Sequence, residues 1–484
     1  MVKNLGLDEG LLMKAVDLAL SEGAHYAEAR YQKDIMDNVV LRNEKVIGGG
    51  TEIKEGVGIR VLVEGSLGFA ATNDLTSEGL KAAVTAAIAR AKGMSRLRRV
   101  PIEFTDERVG KASYEVKTRK SLKDLTMEYR ISLGKEVVKE VKGSVKSVTV
   151  PVIMYEMGTH LQEKLIITSD GAYIHSIVPR VNLMANVVLA SQEKGTLQRM
   201  FEFAASGGAE LVDEWRVTEK ITQEVERLEN ILLKGVQPPS EEVDVVVGPE
   251  VVGLLVHESS GHPMEADRIL GREAAQAGES FVKPDMIGNY RIGSELATVV
   301  EDPTIPGSNG FYLYDDEGVP ARPRYLYKEG LIYEPLHNRH TAKIFGTNSN
   351  AAARSMDYRS EPIVRMSNTY FKPGDMTFNE LIEDIRLGVY IKSYMEWNID
   401  DQRWNQRYVG LESYMIRDGE LAEPVKNPVL EITTKGFYSR VVGVDRNLEF
   451  FPGTCGKGEP AQGVPVWFGG PNVRLSKIKL GVIQ

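Results

Sequence analysis

The sequence predicts an α+β protein with two parts: an N-terminal α/β domain over residues 1–236, its helices packed on a mostly antiparallel sheet, and a β-rich C-terminal domain over 237–484 that carries one buried helix. Three observations carry this reading. Helical and alternating apolar patterns interleave through the first half. Short strand-like runs bounded by turn residues dominate the second. Between them Gln237-Pro238-Pro239-Ser240 breaks the chain. A length of 484 residues suggests about three domains and is equally consistent with two large ones. Hydrophobic content of 42% and charged content of 26% are those of a globular protein, and a formal net charge of −9 gives no electrostatic reason to expect nucleic acid or an anionic membrane as partner. The basic cluster Arg96, Arg98 and Arg99 reads as a solvated linker. Met1–Gly6 has no apolar signal region, no run approaches the ~20 apolar residues of a membrane span, and the single cysteine, Cys455, excludes an intramolecular disulfide. These features point to a reducing, cytoplasmic setting.

In the first half, Leu11, Leu12, Ala15, Val16, Leu18 and Ala19 recur at helical spacing ahead of Gly23 and predict a helix over 8–22. Strands follow at Val39–Leu41, Val46–Ile47 and Gly58–Val63, with Gly48-Gly49-Gly50 and Glu64-Gly65 as turns. The glycine run lacks the Lys-Ser/Thr that completes a phosphate loop, so a hairpin turn is the better reading. Leu80, Ala83, Val84, Ala87, Ile88 and Ala91 form one apolar face behind a Thr76 or Ser77 cap. Residues 93–120 suit a connection, and a helix opens at Ser121 with Asp124 and runs to Lys142. Strands return at Val148–Tyr155, Lys164–Thr168 and Ala172–Ala190, then one long helix carries Leu211, Trp215, Ile221, Val225, Leu228 and Leu232.

The second half starts with an apolar strand, Val243–Val247. Gly248-Pro249-Glu250 then supplies a cap position, a proline at N1 and an acid in the first turn. Hairpin-like segments follow at Phe311–Tyr314, Tyr325–Tyr333, Ile363–Phe371, Val389–Trp397 and Gly410–Leu421, with turns at Glu329-Gly330 and Asp418-Gly419. Thr377 and Glu380 form a capping box for a helix that buries Leu381, Ile382 and Ile385. Phe451–Pro460 and Trp467–Pro471 are dense in glycine and proline and read as loops.

The chemistry concentrates in Val256-His257-Glu258-Ser259-Ser260-Gly261-His262-Pro263. Two imidazoles can hold Zn²⁺, and a carboxylate beside one of them can take a proton from a metal-bound water. At roughly 100° per residue, histidines five apart on a regular α-helix diverge by about 140°, against about 40° for a spacing of four. An undistorted α-helix therefore cannot aim both at one ion. Pro263 disfavours α geometry at His262, and Gly261 can end the helix. The expectation is a helix that stops near Ser260 with His262 swinging back, a π-bulge being the rival geometry.

The helix is apolar on almost every side, so its polar residues need partners. Cys455 is one candidate third ligand, because a thiolate binds zinc strongly and a His₂Cys set leaves a position open for water; its plainer reading is a small buried residue. Glu265, Asp267, Asp315 and Asp316 are the alternatives, each also readable as a surface or turn carboxylate. His337 and His340 could meet on a helix over Asn338–Phe345, although a chance pair is the simpler reading, and His25, His160 and His175 read as structural. A serine nucleophile at Ser259 or Ser260 lacks the Gly-x-Ser-x-Gly elbow.

The His-Glu-x-x-x-His string with Glu265-Ala266-Asp267, the segment Gly56–Asn73 and the tail Thr454-Cys455-Gly456-Lys457-Gly458 together resemble the TldD/PmbA family of metallopeptidases, on its catalytic TldD branch. The resemblance covers almost the whole chain. It implies zinc held by His257, His262 and Cys455, with Glu258 as catalytic base. It further implies cleavage of unfolded or small peptides held as an added β-strand in an internal passage, and a dimer, either of identical chains or with a non-catalytic PmbA/TldE-like paralogue. Two other functions fit the same residues: a non-catalytic peptide-binding or scaffold subunit with a structural metal, and a metal hydrolase acting on non-peptide amides.

Overall fold

The computed structural model describes residues 8–97, 100–273 and 278–482. Arg98, Arg99 and Met1–Gly6 lie outside these, while Arg96 is exposed just past the end of a helix. Among the described residues no helix is long and apolar enough to cross a membrane.

The first half is a seven-stranded sheet with four helices on one face and the short helix α4 leading into the last of them. Its elements are α1 (Glu9–Ser21), β1 (Tyr26–Arg42), β2 (Lys45–Val63), β3 (Ser66–Thr72), α2 (Ser77–Ser95), β4 (Lys111–Glu115), α3 (Met127–Ser144), β5 (Thr149–Thr168), β6 (Tyr173–Ser191), β7 (Gly195–Ser206), α4 (Glu210–Trp215) and α5 (Val217–Lys234). The order is β3-β2-β1-β5-β6-β4, with β7 also on β6; all pairs are antiparallel except β4 with β6. Leu80, Val84 and Ile88 of α2 join Leu12 and Val16 of α1 in one core cluster, and Val137, Val141, Val225 and Leu228 of α3 and α5 join another.

Several expectations are corrected here. Strands β1, β2 and β5 are far longer than the apolar runs suggested, because their alternation includes polar residues that are themselves buried, whereas β6 matches the expected Ala172–Ala190 to within one residue. Gly48, Gly49 and Gly50 lie inside β2, and the hairpin turns instead at Asn43, whose φ is 53°. Gly49 is required where it stands, since a Cβ there would meet the Asn38 carbonyl oxygen at 2.6 Å. Ser121 and Asp124 do form a capping box, but on a 3₁₀ turn, and α3 starts anew at a Thr126 cap. The long helix is broken at Arg216, which takes left-handed geometry (φ 50°, ψ 50°). β4 and β7 had no apolar alternation strong enough to predict them.

The other face of the sheet meets the second half through buried charge. Arg60 contacts Glu28 at 2.7 Å and Glu317 at 2.9 Å, and Lys164 contacts Asp316 at 2.9 Å. In the second half, β8 (Val243–Val247) lies inside a six-stranded mixed sheet. A second six-stranded sheet ends in strands Gln462–Gly470 and, at its edge, Glu449–Lys457. The residues from Phe451 to Lys457, read as loop, are therefore strand; Pro452 is tolerated because an edge strand needs fewer backbone donors. Phe311–Tyr314 is not a strand but irregular, with one bridge from Tyr314 to Pro320. The turns at Glu329-Gly330 and Asp418-Gly419, the Thr377/Glu380 box and the helix Arg339–Phe345 are where the sequence puts them.

Candidate metal and catalytic site

Helix α6 (Pro249–Val256) follows β8 with Gly248 as cap and Pro249 in its first turn. Val251, Val252, Leu255 and Val256 are fully buried, so the helix is fixed in the core on several sides. Its contact with strand Gln462–Gly470 requires glycine: a Cβ at Gly253 would stand 2.6 Å from the backbone nitrogen of Gly469. This flush packing sets the end of α6 against the hairpin that carries Cys455.

The helix does not stop at Ser260. From His257 to Gly261 it widens to a π-turn and then tightens to 3₁₀ over His262–Met264. His262 stays in the α region (φ −61°, ψ −44°) despite Pro263, and Gly261 is right-handed (φ −56°), so neither residue ends the helix as expected. The π-turn does the work instead. The N–H of His262 bonds the carbonyl of His257, five residues back, and residues at that spacing share a face. The two imidazoles lie edge to face with centroids 5.0 Å apart.

Cys455 meets them. Its Sγ is 3.6 Å from His262 Nε2, and one ligand atom each from His257, His262 and Cys455 lie within 4.8 Å of one another, all three residues buried. Two ligands at about 2.3 Å (sulfur) and about 2.0 Å (nitrogen) from a tetrahedral zinc stand roughly 3.5 Å apart, close to the separation found. The buried Nδ1 of His257 has no hydrogen-bond partner, a costly condition unless something else satisfies it. The donor set thus fits zinc. No fourth His, Cys, Asp or Glu joins the group among the described residues.

Behind the cluster stands Glu265, read above as a surface or turn carboxylate or an alternative ligand, and placed by the fold against His262. It is fully buried and lies 3.0 Å from His262 Nδ1, which directs that proton to the carboxylate and leaves Nε2 facing Cys455. Burial pushes the Glu265 carboxyl up, but Lys457, Arg268 and His262 together hold it well below the usual carboxylate range. Asp267, the neighbouring alternative, pairs with Lys457 at 2.7 Å. Burial likewise raises the Cys455 thiol, yet His262 and the Arg365 guanidinium bring it down to about 7. Burial lowers both histidines, keeping the imidazoles neutral as metal ligation demands.

Glu258 is buried beside this cluster and ion-paired with Arg403, a residue held at φ 66°. No sequence signal marks Arg403, which is 145 residues away. Lys457 was legible in principle, since strand periodicity puts it on the face of Cys455. The other candidates are elsewhere. Asp316 and Asp315 serve the inter-half contact and a turn. His337 packs on Phe345 and His340 bonds the Glu103 carbonyl, so the two do not converge. His160 and His175 bond Asp34 and Glu163. Ser259 bonds Tyr438 at 2.8 Å and Ser260 bonds the Val256 carbonyl at 2.6 Å, roles of packing and not of nucleophiles.

Comparison with known proteins gives three matches to models of one family: PmbA/TldA metallopeptidase domain 1 over residues 27–91, the central domain over 120–233 and the C-terminal domain over 240–482. A metalloprotease of Methanothermobacter thermautotrophicus is 32% identical over 468 residues, covering 96% of each chain. A zinc metalloprotease TldD homolog of Saccharolobus solfataricus is 27% identical over 482 residues, 97% of this chain and 99% of that one. Among solved structures, TldE from Thermococcus kodakarensis superposes with a TM-score of 0.76 at 16% identity, over 97% of this chain and 100% of that chain, a likeness of fold.

Proposed function

Because the chain belongs to the PmbA/TldD family of metallopeptidases, we propose that it is a zinc-dependent peptidase in which His257, His262 and Cys455 hold the metal and Glu258 is the general base. The observation that carries this reading is the convergence of the three ligand atoms within 4.8 Å at the π-turn, with Glu258 on the residue next to His257. Zinc bound there supplies a Lewis acid that polarises a peptide carbonyl and acidifies water. Glu258 accepts a proton from water as its oxygen attacks the carbonyl carbon, and gives it to the leaving amine. Arg403 fixes the Glu258 carboxylate, and Glu265 fixes the imidazole of His262. Substrates are unfolded or small peptides. The strand Glu449–Lys457, last in the order of its sheet, offers a peptide an edge to extend.

On the same reading the working unit is a dimer, of two copies or with a non-catalytic paralogue, and the lone cysteine suits the cytoplasm. Glu258→Gln is the test. Zinc content should be unchanged, and cleavage of an unstructured peptide should fall by roughly 10²–10⁴-fold. Undiminished cleavage would remove Glu258 from the mechanism. A wild-type protein that binds zinc and peptide but cleaves nothing would favour a scaffold role.

A further inference from the structure

Beside the ligand cluster lies a cavity of about 410 Å³, within the size range of small-ligand sites (about 300–1,000 Å³). Its walls come from both halves of the chain. β7 and α4 contribute Phe203 and Trp215, whose centroids are 5.8 Å apart. The hairpin of Glu449–Lys457 and Gln462–Gly470 contributes Phe450, Phe451 and Trp467. All five are only half-buried, leaving ring surface uncovered by the chain itself. Phe450 stacks on Trp467 at 5.3 Å and Phe451 on Phe468 at 6.2 Å, and the Phe468 ring in turn stands 6.3 Å from His257. One ring therefore separates the cavity from the ligand cluster, and Phe451 is four residues before Cys455 on the same strand face.

The charges around this cavity are largely spent on one another. Arg199 is paired with Glu224 at 2.6 Å and Glu250 at 2.7 Å; Arg227 and Lys392 are both on Glu412, at 2.8 and 2.9 Å. Of the remaining charged groups, Glu202, Glu449 and Lys220 are exposed, two carboxylates against one ammonium. An anionic occupant gains nothing here. Ring faces and edges offer an aromatic guest the offset and edge-to-face geometry that aromatic pairs prefer.

We propose that this cavity is the specificity pocket of the enzyme and takes an aromatic side chain of the peptide close to the scissile bond. The proposal rests on the peptidase reading for its chemistry but not for its binding. Three peptides identical except for Phe, Gly or Asp at one position are compared on the zinc-loaded protein. Wild type should cleave the Phe peptide with a kcat/KM roughly tenfold or more above the Gly peptide, with Asp lowest. Trp215→Leu, which removes one wall, and Ala204→Phe, which fills the space, should each bring the Phe-to-Gly ratio towards unity; the second removes no core side chain. Binding is read separately on zinc-loaded Glu258→Gln, where the Phe peptide should change the fluorescence of Trp215 and Trp467 and the Gly peptide should not. Equal cleavage of all three peptides, or a Phe preference that survives both variants, overturns the pocket and leaves the peptidase reading standing. Phe-selective binding by a wild-type protein that cleaves none of the peptides overturns the peptidase reading and leaves the pocket.

Discussion

At the scale of single residues, the proposed metal site depends on groups that hold the ligands as much as on the ligands. Glu265 is the clearest. A buried carboxylate that orients a ligating imidazole is worth about 10–100-fold in metal affinity, so Glu265→Gln should weaken zinc binding by that factor, read by competition with a chromophoric chelator, while Asp267→Asn should weaken it less. His257 and His262 were legible in the sequence by residue type and spacing as a pair able to share one ion, and the structure brings both to Cys455, with Glu258 buried beside them. Cys455 was one candidate among five until the resemblance favoured it, and the coordinates bring it to 3.6 Å from His262. Glu265 was legible as a nearby acid, read first as a surface or turn carboxylate and second as a ligand, and the structure buries it completely against His262; whether a carboxylate meets an ion or an imidazole is a matter of about one side-chain length, which spacing does not encode. Arg403 was not legible at all, because only the folded chain brings it to Glu258.

At the scale of elements, helices were readable where capping and period agreed, as in α2 and α6, and misjudged where one residue overrides the period, as Arg216 does between α4 and α5. Strand lengths were underestimated in β1, β2 and β5, because polar positions on the inner face broke the apolar alternation although they are buried, whereas β6 (Tyr173–Ser191) was read to within one residue at each end. The π-turn was visible only as the rival resolution of a conflict: a five-residue spacing that a regular helix cannot use, for which Gly261 and Pro263 favoured a helix ending near Ser260, and the structure takes the other course. Packing decides it, since α6 is pressed on the Gln462–Gly470 strand and the wider turn lets both imidazoles face Cys455. Gly253→Ala tests this directly. The added methyl meets the Gly469 backbone at 2.6 Å, and overpacking of this kind costs about 1–3 kcal/mol. Thermal unfolding should record that loss together with a lowered zinc content, because the helix end moves with the helix.

At the scale of the molecule, the sheet of the first half is enclosed, apolar on the helical face and charged on the face that meets the second half. Such contacts stabilise only when every charge is paired. Whereas burial raises Glu28, Asp316 is the carboxylate of this contact that is depressed on folding. Burial pushes its carboxyl up, but Lys164 and Arg30 outweigh this and hold it at about 2. A carboxylate depressed on folding contributes stability above its unfolded value, near 4, and loses it as pH falls towards 2. Burial also lowers Lys164, so the pair is worth less overall than Asp316 alone suggests, and Asp316 supplies one part of the acid limb beside other depressed carboxyls such as Glu265. Asp316→Asn should therefore lower stability at neutral pH by up to about 2 kcal/mol and flatten the fall between pH 4 and 2, as followed by denaturant unfolding. An unchanged acid limb would remove Asp316 from that role. The ligand cluster joins the middle of the chain to its end, and on the proposed function a metal at the π-turn would tie α6 to the edge strand Glu449–Lys457. Zinc K-edge absorption on the purified protein measures that tie most directly. A shell of one sulfur at about 2.3 Å with two imidazole nitrogens at about 2.0 Å is the predicted result; a shell without sulfur, or a protein that takes up no zinc, would contradict it.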